Sequence, residues 1–263
     1  MLSLVGCAST SQDKMVATSP AQGAAITTGG YGGNEVAQAA PTERRGLGTT
    51  WGEQVNSGIE FQPFSRASPA PWAEMQIHYN DAQGVMEHAA YLHEQIAPLH
   101  AWLGDGALGV SLVDDGGQVL GGVAAADRTL VVGQDGERYR IVVHNATAAR
   151  FEVVASVDGL DVIDGKPADP NRRGYLVNPH DDLVIDGFRT SNDTVAAFRF
   201  GAVADSYAAQ TSGDRNVGVI GLAVFAERGA QWAPVPRVYD QTESQIRDTA
   251  DPFPSRGYAS PPR

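Results

Sequence analysis

Cysteine is nearly missing from the 263-residue chain: Cys7 stands alone, so no intrachain disulfide can form. No apolar run approaches the roughly 18 residues a membrane-spanning helix requires. Lysine is scarce as well. Lys14 and Lys166 are the only lysines among 19 basic residues, a bias read as genome composition. Catalytic signatures are equally thin. There is no Gly-x-Ser-x-Gly elbow. His93-Glu94 opens a zinc-protease pattern whose second histidine is replaced by Ala97. The glycine run from Gly46 to Gly52 lacks the Gly-Lys-Ser/Thr ending of a phosphate loop. Ser11 to Lys14 matches Ser-x-x-Lys only within a polar stretch that can build no pocket. These gaps nominate no catalytic residue and no cofactor.

The net charge is −12, and it is concentrated. Residues 1–44 contribute 2 − 3 = −1 and residues 229–263 contribute 4 − 4 = 0, so the body carries 13 basic against 24 acidic groups. Such a surface repels phosphate backbones, and no nucleic-acid partner is expected.

What is abundant is β punctuation. Asp-Gly pairs recur at 105–106, 115–116, 135–136, 158–159, 164–165 and 186–187, and Asp-Gly favours the type I′ turns that match strand twist. Short apolar runs fill the intervals, among them Leu108 to Val113, Thr129 to Val132, Arg138 to His144 and Phe151 to Val157. Tyr139, Ile141 and Val143 alternate with Arg138, Arg140 and Val142, the period-2 signature of a half-buried strand. Val217 to Ala226 is apolar enough for a central strand buried on both faces. Within Gly174 to Phe200, three runs (Tyr175–Val177, Leu183–Ile185, Val195–Phe200) read as consecutive antiparallel strands, with Asp186-Gly187 as a turn between two of them. The expected fold is mainly β: an antiparallel β-sandwich or jelly-roll-like domain over 105–228, with one N-terminal amphipathic helix packed on it.

That helix belongs to 46–104, otherwise read as irregular except for a strand at Met75–Tyr79. Asn80 and Gln83 form a capping box. Val85, Ala89, Leu92, Ile96, Leu99 and Leu103 then make one apolar stripe. Pro98 predicts an end near 96, with a short second turn up to Gly104. His78, His88, His93 and His100 cluster here, but at spacings that read as a histidine-rich rim rather than a metal site.

Leu4-Val5-Gly6-Cys7 is similar to the lipobox of bacterial lipoproteins. The resemblance implies diacylation of Cys7 and cleavage of the preceding signal. Only Met1 to Ser3 precede the box, so the basic and apolar parts of a signal peptide are expected upstream of this sequence. Ala8 in place of Asp resembles the residues that permit export to the outer membrane. Residues 1–7 are thus read as the remnant of a signal with its lipobox. Residues 8–45, rich in Ala, Gly, Ser, Thr and Gln, are read as a tether reaching about 35 Å. Residues 229–263, with six prolines, form a Pro-rich tail.

Candidate binding positions are Arg172, Arg173, Tyr175, Phe188, Arg199 and Trp232. Asp158, Asp161 and Asp164 fall at every third residue, whereas a calcium loop places its acids at every second. They are read as turn residues and no metal is expected. The expected function is a non-enzymatic, lipid-anchored envelope protein, its β head binding an envelope protein or a surface polymer. Two alternatives stand beside it: a carbohydrate-binding jelly-roll module using Tyr175, Phe188 and Trp232, and an envelope hydrolase pairing His78, His93, His144 or His180 with a carboxylate.

Overall fold

A computed structural model describes residues 45–125 and 128–232. Cys7, the 8–45 tether up to Arg44 and the tail from 233 lie outside the described residues. In chain order the strands are Leu47–Asn56 (β1), Ala73–Asn80 (β2), Ala97–Pro98 (β3), Ala101–Leu103 (β4), Leu108–Val113 (β5), Gly121–Ala125 (β6), Arg128–Val132 (β7) and Arg138–Asn145 (β8). They continue with Phe151–Val157 (β9), Leu160–Asp161 (β10), Tyr175–Val177 (β11), Asp182–Ile185 (β12), Gly187–Arg189 (β13), Thr194–Ala202 (β14) and Val219–Ala226 (β15). Helix Ala82–Leu92 (α1) follows β2, and the short helix Tyr207–Thr211 (α2) follows β14. No helix among the described residues is long and apolar enough to cross a membrane.

Two sheets make a mainly β sandwich. Sheet I runs β1-β14-β8-β5-β4, with β12 on β8 and β13 on β14; sheet II runs β10-β9-β15-β2-β7-β6-β3, with β11 on β9. Pairing is antiparallel except between β2 and β7, which run parallel. The alternation in β8 sends Tyr139, Ile141 and Val143 fully inward. Ile77 and Tyr79 of β2, Val153, Ala155 and Val157 of β9, and Ile220, Leu222 and Val224 of β15 meet them from sheet II in one core. α1 lies outside that core. Its Val85 and Ala89 cover Val123 and Leu130, the outward residues of β6 and β7.

Several expectations need correction. The sandwich is not confined to 105–228, because β1 pairs along β14 and β2 lies between β15 and β7. β1 escaped the periodicity test because its inward positions near the start are Leu47 and Thr49, with glycines at 48 and 52. Gly52 is there for space: a Cβ would come within 2.6 Å of the Ala197 carbonyl oxygen, and the register slips between Trp51 and Gln54. The runs of 174–200 are strands, but not sequential partners. β11 pairs with β9 in sheet II while β12 pairs with β8 in sheet I, so the chain crosses between sheets at 178–181. Gly187, expected in a turn, begins β13. Of the six Asp-Gly pairs, 105–106 and 158–159 have both residues at positive φ, and 158–159 closes the β9–β10 hairpin. β15 is central but alternates, leaving Val219, Gly221 and Ala223 half-buried.

The helix is capped by Asp81, whose carboxylate accepts from the Gly84 amide at 2.7 Å, one residue after the expected cap. It stops at Leu92, with His93 at φ 57° as the left-handed cap. Beyond it Ala97–Pro98 pairs with β6 and Ala101–Leu103 with β5, in place of a second helical turn. Proline tolerates such an edge position because its missing amide takes no ladder bond.

Candidate functional site

The outer face of sheet I carries a cross-strand row. Trp102 of β4 stands opposite Gly109 of β5, Gly109 opposite His144 of β8, and His144 opposite Asp182 of β12. Trp102 points outward because Ala101 and Leu103 on either side are buried, and it remains 56% exposed. Gly109 lets the indole lie down on the sheet. A Cβ at 109 would sit 3.1 Å from the ring, so any larger residue lifts it. The next positions along β5 and β8 add Ser111, Val113 and Val142, and together with His100 and Val119 they enclose a shallow depression of about 420 Å³. That volume is within the range of small-ligand sites.

Polar groups ring this apolar floor. His144 Nδ1 and Asp182 Oδ1 are 2.7 Å apart, both side chains about half exposed. With Nδ1 donating to the carboxylate, Nε2 is left as an acceptor for a ligand hydroxyl. His100 Nδ1 and Ser111 Oγ are 2.9 Å apart. An aromatic plate beside oriented hydrogen-bonding groups suits a ring that is apolar on its face and hydroxylated at its edge. Acyl transfer asks for more. Ser111 sits mid-strand with β8 on one side of its strand and β4 on the other, where backbone amides serve the ladder rather than an oxyanion.

The six positions singled out from the sequence do not form one surface. Phe188 is buried at 1% exposure between Trp51, Phe198 and Tyr207. Trp232 folds back on Trp72 and Phe151, with ring centres 3.9 and 4.7 Å away, and is part of the core margin. Arg199 is held by Glu53 through two bonds of 2.7 and 2.9 Å. Arg172 pairs with Asp164. Arg173 and Tyr175 do share a cleft of about 370 Å³ beneath residues 58–64. There Arg173 lies over Phe61 at 5.1 Å, and Arg189 reaches the Tyr175 hydroxyl at 2.8 Å and covers its ring at 5.4 Å. The cleft's aromatic faces are therefore already occupied by the protein's own arginines.

The three aspartates do other work than calcium binding. Asp158 is 2% exposed and accepts from the Tyr79 hydroxyl at 2.5 Å, the Thr49 amide at 2.8 Å and the Gly218 amide at 2.9 Å. Burial nevertheless pushes its carboxyl above the usual range. Asp161 accepts from the amides of Ile163 and Asp164, and Asp164 pairs with Arg172. Among the described residues no group of three or more ligating side chains could hold a metal ion. His93 and His180 both occupy left-handed turn positions on the surface; only His144 of the four named histidines faces a carboxylate at hydrogen-bond distance.

Trp102 was hidden in the sequence by its neighbours. Ala101-Trp102-Leu103 is apolar throughout, and Leu103 ended a helical stripe, so the outward turn of Trp102 had no polar alternation to mark it. The usable signal was Gly109, the one glycine in Leu108 to Val113, which can seat a ring across the hairpin. No family model, curated protein or solved structure matches the chain.

Proposed function

We propose that this chain is a non-enzymatic binding module of a bacterial envelope, taking a sugar ring of a surface polymer on the Trp102 face and tied to the membrane by lipid on Cys7. The observation that carries the binding reading is the exposed indole laid flat over Gly109 beside the His144–Asp182 pair. Stacking supplies affinity and the flanking imidazoles read the hydroxyl pattern. Phe188, buried in the core, and Trp232, packed half-buried at its margin, take no part. The anchor rests on the lipobox-like Leu4 to Cys7.

The test is titration with a panel of soluble envelope polysaccharides, followed by tryptophan fluorescence and calorimetry. Trp102→Ala should weaken binding by about fivefold or more, and Gly109→Val by a similar factor with Trp102 still present, since stacking of this kind is worth about 1 kcal/mol or more. Unchanged affinity in both variants would remove the Trp102 face from the argument. The same incubations report on hydrolysis. New reducing ends that vanish in His144→Ala would favour the enzyme reading, in which Asp182 orients His144 as a base.

The anchor has its own check. Wild type and Cys7→Ala, expressed from the full upstream region, should differ in fatty-acid incorporation and in membrane fractionation. Equal partitioning of the two would end the lipoprotein reading.

A further inference from the structure

Basic residues gather in one place on this acidic protein. A cleft of about 300 Å³ opens where α1 crosses the end of β2, and it shares no residue with the Trp102 face. Five basic side chains line it, each from a different segment: Arg45 before β1, His78 on β2, His88 on α1, Arg128 at the start of β7 and Arg215 ahead of β15. Among the described residues no acidic side chain lines it.

The arginines of this cleft differ from five others among the described residues. Arg66, Arg138, Arg150, Arg172 and Arg199 are each paired with a carboxylate. Among the described residues the side chains of Arg45, Arg128 and Arg215 make no ion pair and no hydrogen bond, and all three residues are exposed at the rim. Two described acids nearby are engaged elsewhere: Asp81 caps α1, and Asp158 lies inside the core bonded to Gly218. Deeper in the cleft, His78 Nδ1 and His88 Nε2 are buried without a hydrogen-bond partner. A buried polar atom left unpaired is costly, and such atoms mark places where something is meant to bind or where the chain accepts strain. Burial, and next the charge of Arg128, hold the His78 imidazole below its ordinary basicity, against an opposing contact with the Thr129 backbone, and His88 adds to the repulsion. An anion at this point would reverse that field.

We infer that this cleft is an anion site for a phosphate group, carried either by a free phosphorylated small molecule or by a lipid headgroup. Planar guanidinium forks match the geometry of a phosphate, and three unpaired ones at one rim can each supply two parallel donors. The histidines beneath can add an N–H each. The volume suits one phosphate with a small substituent. In a chain of net charge −12, long-range attraction is weak. Recognition must then come from these close contacts, and it should persist at physiological salt better than attraction to a diffuse patch.

The experiment uses the full chain and two probes. Inorganic phosphate is titrated at constant ionic strength by calorimetry, with the histidine ring protons followed by NMR. In parallel, sedimentation is measured with vesicles containing phosphatidylglycerol and with vesicles of phosphatidylcholine alone. Saturable phosphate binding is expected, with ring shifts at His78 and His88 but not at His180. Arg128→Gln and Arg215→Gln should each weaken it by about tenfold or more. Arg228→Gln, an exposed arginine outside the cleft, should leave it unchanged and controls for net charge. Phosphatidylglycerol binding lost in the same two variants assigns the phosphate to a lipid. Phosphate binding without vesicle binding assigns it to a free ligand. If neither probe binds, or if Arg228→Gln weakens phosphate binding as much as the cleft variants, the site does not exist.

Discussion

Phe198→Ala is expected to cost about 3–5 kcal/mol, and Phe200→Ala the same. Both side chains are essentially without solvent contact. Phe198 stacks on Tyr139 at 5.3 Å and meets Phe188 edge-on at 5.1 Å; Phe200 stacks on Tyr139 at 4.3 Å and contacts Tyr79 at 5.3 Å. Both rings belong to the core between the sheets, and the Phe200–Tyr79 contact joins sheet I to sheet II. Arg199 between them points the other way, to Glu53. That pair holds the Glu53 carboxyl below its ordinary range, yet both side chains are more than a third exposed. Solvent screening limits the contribution of such a pair, and Arg199→Ala should change stability by under about 1 kcal/mol. Urea titration of the three variants measures the ranking. With a domain holding about 5–15 kcal/mol in all, either phenylalanine variant uses up a large share. An Arg199 variant less stable than both would mean the faces of β14 are assigned the wrong way round.

Asp158→Asn is the second large effect. The ionised carboxylate can only accept, so Tyr79 must donate to it. Thr49 Oγ1 lies 2.7 Å from both Tyr79 and Tyr139 hydroxyls. Each hydroxyl has one proton, which orders the chain: Tyr139 donates to Thr49, Thr49 to Tyr79, and Tyr79 to Asp158. Burial raises both tyrosines well above their ordinary range, so neither ionises while the protein is folded. Asparagine tolerates the φ of 55° at this position as aspartate does, which confines the change to chemistry. Its NH2 would face the amide of Thr49 or the donors on Oδ1, leaving about two donors unpaired at roughly 1–3 kcal/mol each.

The pH dependence of that variant carries a sign. Burial places the folded pKa of Asp158 above the unfolded one. Wild type therefore gains stability as pH falls through the raised folded value towards about 4, and loses it again on the way up. The asparagine variant has no proton to exchange at this position. The cost of the substitution, measured by urea titration at several pH values, should grow from pH 7 towards pH 4. A cost that shrinks instead would show that the hydrogen bonds outweigh burial and that the folded pKa lies low.

Much of the fold could be read from residue order because strands such as β8 alternate; β8 and the Phe198–Phe200 stretch of β14 have their faces where the pattern puts them. What escaped shares a physical cause. β1 buries Thr49 to complete a polar chain in the core, so a hydrophobic count misses it. The end of α1 is set by His93 entering a left-handed turn and by pairing of Ala97–Pro98 with β6, a partner more than 20 residues downstream. The candidate site was less legible still. Trp102, His144 and Asp182 come from three strands that only sheet pairing brings together, while of the aromatics offered for an exposed sheet face Phe188 went to the core and Trp232 to its margin.

The pairing of β1 with β14 also sets a clock. Thr50 and Arg199 are bonded partners 149 residues apart, and β2 waits on β15 in the same way. At synthesis rates of about 5–20 residues per second, the first strand to be made stays without its neighbour for about 7–30 s. Neither sheet can be completed from the N-terminal half, so the chain reaches its final state only when nearly all of it is present. Closing loops of this span belongs to the slow end of folding. During that interval β1 and the edge of β2 that faces β15 stand open, and an open strand edge is a template for pairing with other chains.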